Sequence, residues 1–224
     1  MKTYRKTGVV IGLFFLIATI TFMAGHTLIL GALDGFAGVA TEANALTAGA
    51  LLLFVDALAV AGIAFLIFPL LKRYSEPAAL AYAGLRVGEF AAVLLLMASP
   101  LLVVPLAVAA PAAGLDASAS AHLSGIARAQ YDAAMALVFL CTGASGTVLA
   151  FVLVRSRLVP LPLAVLGAVG YPAMLAGTAL DMLKLLDLQQ GAGLLLVWPV
   201  GLFELALPVW LFIKGFNTEK PAAP

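Results

Sequence analysis

Six long apolar runs make up nearly all of this sequence, and most polar residues lie between them. The runs cover residues 8–32, 46–71, 80–108, 126–154, 159–183 and 192–214. Each run exceeds the roughly 20 residues that an α-helix needs to cross a hydrocarbon core about 30 Å thick. The pattern therefore predicts an all-α fold, a polytopic membrane bundle of six transmembrane helices that forms one transmembrane domain over residues 1–224.

The segments between the runs are too short to hold a soluble domain. The two longest, near residues 33–45 and 109–125, are rich in Gly, Ala, Ser and Asp. A basic opening, residues 1–6, precedes the first run and resembles the start of a signal peptide. That run is longer than a signal sequence requires, and no Ala-x-Ala site follows it. We therefore expect the first run to remain as a helix.

Composition agrees with a membrane protein. Hydrophobic residues make up 64% of the chain and charged residues only 10%, whereas soluble domains are roughly 45–50% apolar. The net charge is +1 and the basic residues are dispersed, which argues against a nucleic-acid partner. Cys141 is the only cysteine, so an intrachain disulfide is excluded. Membrane lipids are the expected surroundings.

The distribution of Lys and Arg predicts the orientation. Basic residues are concentrated on the cytoplasmic side of multi-pass proteins. An arrangement with both termini in the cytoplasm collects most of the basic residues on that side, namely Lys2, Arg5, Lys6, Lys72, Arg73, Arg155, Arg157, Lys214 and Lys220. We therefore expect both termini to be cytoplasmic.

Five ionisable residues lie deepest inside the apolar runs: Asp56, Arg86, Glu89, Asp132 and Glu204. An ionisable side chain at the bilayer centre costs roughly 2.5–3.5 kcal/mol, so each needs a partner, a proton or a polar cavity. These five residues are the predicted lining of a cavity for a ligand, ion or proton.

Helical spacing and depth divide the charged residues. Small and ionisable residues share one stripe on several runs, as in residues 128–150, which predicts that the charges face the bundle interior. Arg86, Glu89 and Glu204 fall in an inner group. That group lies in the middle to cytoplasmic half of the bundle. The outer group lies in the opposite half and consists of Asp56, Asp132, Asp181, Arg128, Lys184 and His26.

Three local pairings follow from the spacing. Arg86 can pair with Glu89 or reach Glu204, Arg128 can pair with Asp132, and Asp181 can pair with Lys184. The five deepest groups comprise four carboxylic acids and one arginine, an excess of three negative charges if all ionise. Either some carboxyls keep their protons, or a cation occupies the cavity, or outer basic groups neutralise them.

Three functional hypotheses remain open. The first is a small transporter or ligand-binding membrane protein that takes a small molecule, cation or proton. The second is a structural, regulatory or lipid-interacting bundle whose charges only fix packing. The third, an intramembrane enzyme, lacks a visible nucleophile–base pair, and we assign no catalytic residue. Prolines at Tyr171-Pro172 and on both sides of Glu204 predict kinks near a candidate site.

Cofactors and metals have little support in the sequence. His26 and His122 show no metal-ligand spacing with the carboxylates, and two histidines near one surface do not suit a membrane haem. We therefore predict no metal and no cofactor. Homo-oligomerisation remains open.

Three segments resemble a known family: residues 5–19 (RKTGVVIGLFFLIAT), 71–89 (LKRYSEPAALAYAGLRVGE) and 202–216 (LFELALPVWLFIKGF). They are similar to the prokaryotic multi-pass membrane family catalogued as domain of unknown function 4386. The resemblance spans essentially the whole chain. It implies a six-helix protein of the prokaryotic cell membrane without an established activity. It also puts Arg86, Glu89 and Glu204 in the most distinctive segments.

Overall fold

A computed structural model describes residues 2–33, 43–109, 114, 117–188 and 190–217. Within them the chain forms six α-helices and no strand: α1 Lys2–Leu33, α2 Ala43–Leu71, α3 Glu76–Ala109, α4 Ala117–Ser156, α5 Leu161–Met182 and α6 Leu194–Ile213. A short 3-10 turn, Gly191–Gly193, precedes α6. All six helices are long and apolar enough to cross a membrane. The predicted all-α class with six membrane-spanning helices is confirmed.

Several helices begin earlier than the apolar runs do. α1 begins at Lys2 rather than at residue 8, and α4 at Ala117 rather than at residue 126. The added segment of α4 contains several alanines, which favour helix without being strongly apolar. An apolar run therefore marks the part of a helix in the membrane and misses the turns beyond it. The assignment of residues 1–224 to one domain stays a prediction.

The helices form a closed ring in chain order. Each helix packs against the one before and the one after it, and α6 returns to α1. We call the side where α1 begins and α6 ends the terminal side. It also holds the α2–α3 and α4–α5 turns, and with them Arg5, Lys6, Lys72, Arg73, Arg155, Arg157 and Lys214. The cytoplasmic location of this side stays a prediction.

Glycines set the closest helix contacts. A Cβ atom on Gly25 of α1 would lie 2.8 Å from the backbone oxygen of Gly49 on α2, and one on Gly170 of α5 would lie 2.9 Å from the backbone nitrogen of Val200 on α6. Between helices in lipid, association depends on close van der Waals packing, which small residues permit. The distances between neighbouring backbones therefore depend on these glycines.

Two buried apolar clusters lie on either side of the middle of the bundle. The first, toward the terminal side, draws on every helix and includes Ile67, Leu153 and Leu211. In the part of the chain that the structure describes, the second draws on α1 to α4 alone, with Leu46 and Leu96 among its members. On α3, Arg86 and Glu89 lie between Tyr82 of the first cluster and Ala92 of the second.

The α1–α2 contact yields a direct test. Gly25→Ala should lower the free energy of unfolding by about 1–3 kcal/mol. The new methyl group meets the backbone oxygen of Gly49, which cannot move aside as a flexible side chain would. Thermal unfolding in detergent measures the loss. The matched control is Gly31→Ala on the same helix, where a Cβ atom has nothing within 4 Å. Equal midpoints for the two variants would contradict the assigned contact.

Candidate functional site

A cavity of about 580 Å³ lies in the middle of the ring. All six helices contribute to its wall, which is largely apolar and aromatic. The wall includes Phe15, Phe22, Val60, Ile63, Phe139, Met174 and Trp198. Four ionisable side chains also line it: Asp56, Arg86, Glu89 and Glu204. Four of the five predicted cavity residues thus line one cavity.

Arg86 and Glu89 form a buried ion pair on α3. Arg86 Nη1 donates to both carboxylate oxygens of Glu89, at 2.9 and 3.0 Å, and the two side chains are 3% and 5% exposed. Arg86 Nε donates to the hydroxyl of Tyr82 at 3.1 Å, and the guanidinium lies 5.3 Å from the centre of the Tyr82 ring. Of the two partners that spacing allowed Arg86, the structure pairs it with Glu89.

The pair also joins two helices. Ser145 of α4 donates from Oγ to Glu89 Oε2 at 3.3 Å. Arg86 Nη2 is buried and has no hydrogen-bond partner among the described residues. A buried donor without a partner costs roughly 1–3 kcal/mol. The Arg86–Glu89 pair therefore ties α3 to α4 and keeps one donor unused.

Glu204 lies on α6 and accepts a hydrogen bond from the Tyr171 hydroxyl of α5, at 3.1 Å. The Tyr171 ring is fully buried and meets Phe203 edge to face, with centroids 5.5 Å apart. It fits there because residue 146 is a glycine, and a Cβ atom at that position would overlap the ring. Glu204 itself is only half-buried, and it lines the cavity.

Asp56 differs from the other carboxyls. It is 4% exposed and lines the cavity, and no hydrogen bond or ion pair joins its side chain to any residue that the structure describes. Asp56 lies halfway along α2, which begins at Ala43 and ends at Leu71. The sequence placed Asp56 in a separate group from Arg86, Glu89 and Glu204, whereas the structure brings all four to the wall of one cavity.

Asp132 lies elsewhere. It pairs with Arg128 at 3.0 Å in an exposed ion pair, with side chains 48% and 35% exposed respectively. The stripe of small residues that it shares meets α5, where Gly143 contacts Leu175 and Gly146 contacts Tyr171. The cavity face of α4 is the neighbouring one. Asp132 was expected to line the cavity, but it is not among the lining residues. The small residues that predicted its position pack against α5 instead.

His26 and Asp181 lie outside the cavity wall as well. His26 of α1 joins α4 through a hydrogen bond of 2.9 Å between Nδ1 and the Tyr131 hydroxyl, and its ring stacks on Phe22 and Tyr131. Asp181 is the last residue but one of α5, and its backbone oxygen accepts from the Lys184 N–H at 2.9 Å. The ion pair expected between the side chains of Asp181 and Lys184 is not among those of the described residues.

Other residues of the site had no clear signal in the sequence. Ser145 lies among small residues and is indistinguishable from a packing residue by its pattern. Met23, Trp198 and Gly201 line the cavity, although each sits in an apolar run without any polar mark. In the described ranges, no group of three or more His, Cys, Asp or Glu residues is arranged to hold a metal ion.

Comparison with known proteins adds a family. A family model described as Domain of unknown function (DUF4386) matches residues 10–215. Neither a curated protein nor a solved structure matches the chain.

The Arg86–Glu89 pair leads to a stability prediction. Arg86→Gln should lower the free energy of unfolding by about 3–5 kcal/mol, because it leaves Glu89 buried without its cation. The control Arg128→Gln breaks an exposed pair and should cost about 1 kcal/mol or less. Thermal unfolding in detergent compares the two variants. An Arg86 variant as stable as the Arg128 variant would show that the buried pair holds little together.

Proposed function

Because this chain belongs to the family of domain of unknown function 4386, whose description assigns no activity, we propose its function from the cavity: it binds a small molecule within the membrane, as a small transporter does. The sequence resemblance to this family is confirmed. Four ionisable residues and a largely apolar wall surround the space in which we place the ligand.

One observation carries the proposal, the carboxyl group of Asp56. It is nine-tenths buried, faces the cavity and has no hydrogen-bond or ion-pair partner among the described residues. A carboxylate that only fixes packing in a membrane gains its stability from a partner. An unpartnered carboxyl at mid-depth fits a binding role, in which the partner arrives with the ligand.

The volume of the cavity favours a molecule over a single ion or proton. About 580 Å³ lies within the range of roughly 300–1,000 Å³ that is typical of small-molecule sites. Such sites combine apolar walls with a few polar groups that orient the ligand, and this cavity has the same character.

The hypothesis that the buried charges only fix packing explains two of the four ionisable residues of the cavity. Arg86 and Glu89 pair with each other and bond to Tyr82 and Ser145, and only Arg86 Nη2 lacks a partner among the described residues. These contacts support a packing role for that pair. Asp56 and Glu204 have no cation within ion-pair distance among the residues described. We therefore divide the cluster into a packing pair and two carboxyls that face the ligand.

Asp56→Asn separates binding from packing. If Asp56 is kept for binding at a cost in stability, removing its charge should not destabilise the protein. The free energy of unfolding should stay the same or rise by up to about 2.5–3.5 kcal/mol. Glu89→Gln, which removes the partner of Arg86, should instead lower the unfolding midpoint. Thermal unfolding in detergent measures the midpoints of both variants. A clear loss of stability in Asp56→Asn would assign Asp56 to packing.

Cysteine accessibility tests the cavity itself. In a Cys141→Ser background, Thr142→Cys places a thiol on the cavity wall and Ala134→Cys places one in the buried apolar cluster of the same helix. Methyl methanethiosulfonate should modify the first and spare the second, because only the first thiol faces open space. Intact-protein mass spectrometry measures the modification. Equal protection of both thiols would show a closed, packed interior and would contradict the binding function.

A further inference from the structure

We infer that the ligand is a lipophilic organic cation, an amine or quaternary ammonium with an apolar body, that enters from the lipid between α1 and α6. This inference rests on the proposed binding function and names the class of molecule that the cavity takes.

Charge is the first argument. Arg86 is matched by Glu89, so its positive charge is already neutralised inside the cavity wall. Asp56 and Glu204 remain, one on α2 and the other on α6, and a neutral hydroxyl from Tyr171 is the only hydrogen-bond donor that reaches either carboxyl among the residues described. In a low-dielectric interior an opposite charge between two such carboxyls is strongly favoured. The cavity is therefore complementary to a cation.

The wall favours an organic cation over a metal ion. A metal ion requires several ligand atoms around one point, and the described residues contain no group of three or more carboxylates, histidines or cysteines so arranged. Phe15, Phe22, Phe139 and Trp198 line the cavity instead. Aromatic faces attract ammonium groups, most strongly where water is excluded. Apolar side chains of the wall suit the body of such a molecule.

The entry route follows from where the wall is exposed. The cavity-lining residues that are exposed all belong to α1 or α6, and they are Met23, Leu194, Trp198, Leu202 and Leu205. All of them are apolar, so the opening that they surround faces lipid rather than water. A ligand that uses this opening must first dissolve in the bilayer.

Packing shows which half of the bundle opens. Toward the terminal side α1 and α6 are close: a Cβ atom on Gly8 would lie 3.3 Å from Gly215 Cα, and one on Gly12 would lie 3.3 Å from Pro208 Cα. In the other half, the buried apolar cluster draws on α1 to α4 only, as far as the described residues extend. The opening therefore lies between α1 and α6 in the half away from the terminal side.

The test compares two probes of the same shape and opposite charge, tetraphenylphosphonium and tetraphenylborate. The full-length Trp210→Phe protein in lipid nanodiscs leaves Trp198 as the only tryptophan, on the cavity wall. Its fluorescence should change saturably with the cation, and empty nanodiscs give the lipid background. We expect the cation to bind at least about tenfold more tightly than the anion, and Asp56→Asn to weaken it by about tenfold or more.

The outcomes separate this inference from the proposed function. Equal or tighter binding of the anion would overturn the cation class while a binding function stands. Cation binding that is unchanged in Asp56→Asn would remove Asp56 from the site and overturn the inference. Failure of both probes would also overturn it, and accessibility of the thiol in Thr142→Cys then decides independently whether the cavity is open to small molecules.

A second variant tests the route. Gly201 lies on α6 beside Leu202 and lines the cavity, and a Cβ atom there has nothing within 4 Å, so Gly201→Leu should fold and narrow the opening. Stopped-flow fluorescence should show association of tetraphenylphosphonium slowed by about fivefold or more. The control Gly84→Leu adds the same side chain at an exposed position of α3 that is equally free. Equal association rates in the two variants would overturn entry between α1 and α6.

Discussion

The absence of water from the hydrocarbon core is the constraint on which the rest of this structure depends, and the ion pair of Arg86 and Glu89 is the main response to it. A lone guanidinium at this depth would be costly. Glu89 neutralises it, Tyr82 holds its orientation, and Ser145 extends the network to α4. Buried apolar clusters then pack on either side of this polar layer. On α3 and α4 the pair and its hydrogen bonds therefore lie between the two apolar clusters.

The pairing of Arg86 with Glu89 also sets the charge of the cavity. Because Glu89 pairs with Arg86, the carboxyls of Asp56 and Glu204 face the space without a cation partner among the described residues, and the Tyr171 hydroxyl donates to Glu204 alone. Glycine contacts bring α5 close enough to α4 and α6 for Tyr171 to reach Glu204. The pair that we assign to packing and the carboxyls that we propose for binding thus line the same cavity.

Much of the fold and part of the site could be predicted from the sequence. The apolar runs predict six helices because length and hydropathy alone decide what can cross a bilayer. The spacing of Arg86 and Glu89 predicts a local pair because neighbours on one helix face meet whatever surrounds them. Asp132 shows the limit. Its stripe of small residues predicts one face toward the bundle interior, but spacing cannot tell whether that face meets a helix or a cavity.

By itself, the sequence determined that this is a multi-pass membrane protein of six helices, which family it belongs to, and that its membrane segments hold more acid than base. Only the tertiary structure decided that Asp56 joins Arg86, Glu89 and Glu204 around one cavity, that Asp132 pairs elsewhere, and that exposed cavity residues come from α1 and α6. The reason is physical. Hydropathy and spacing are properties of one helix, whereas a cavity depends on how closely neighbouring helices approach, and glycine contacts between them set that approach.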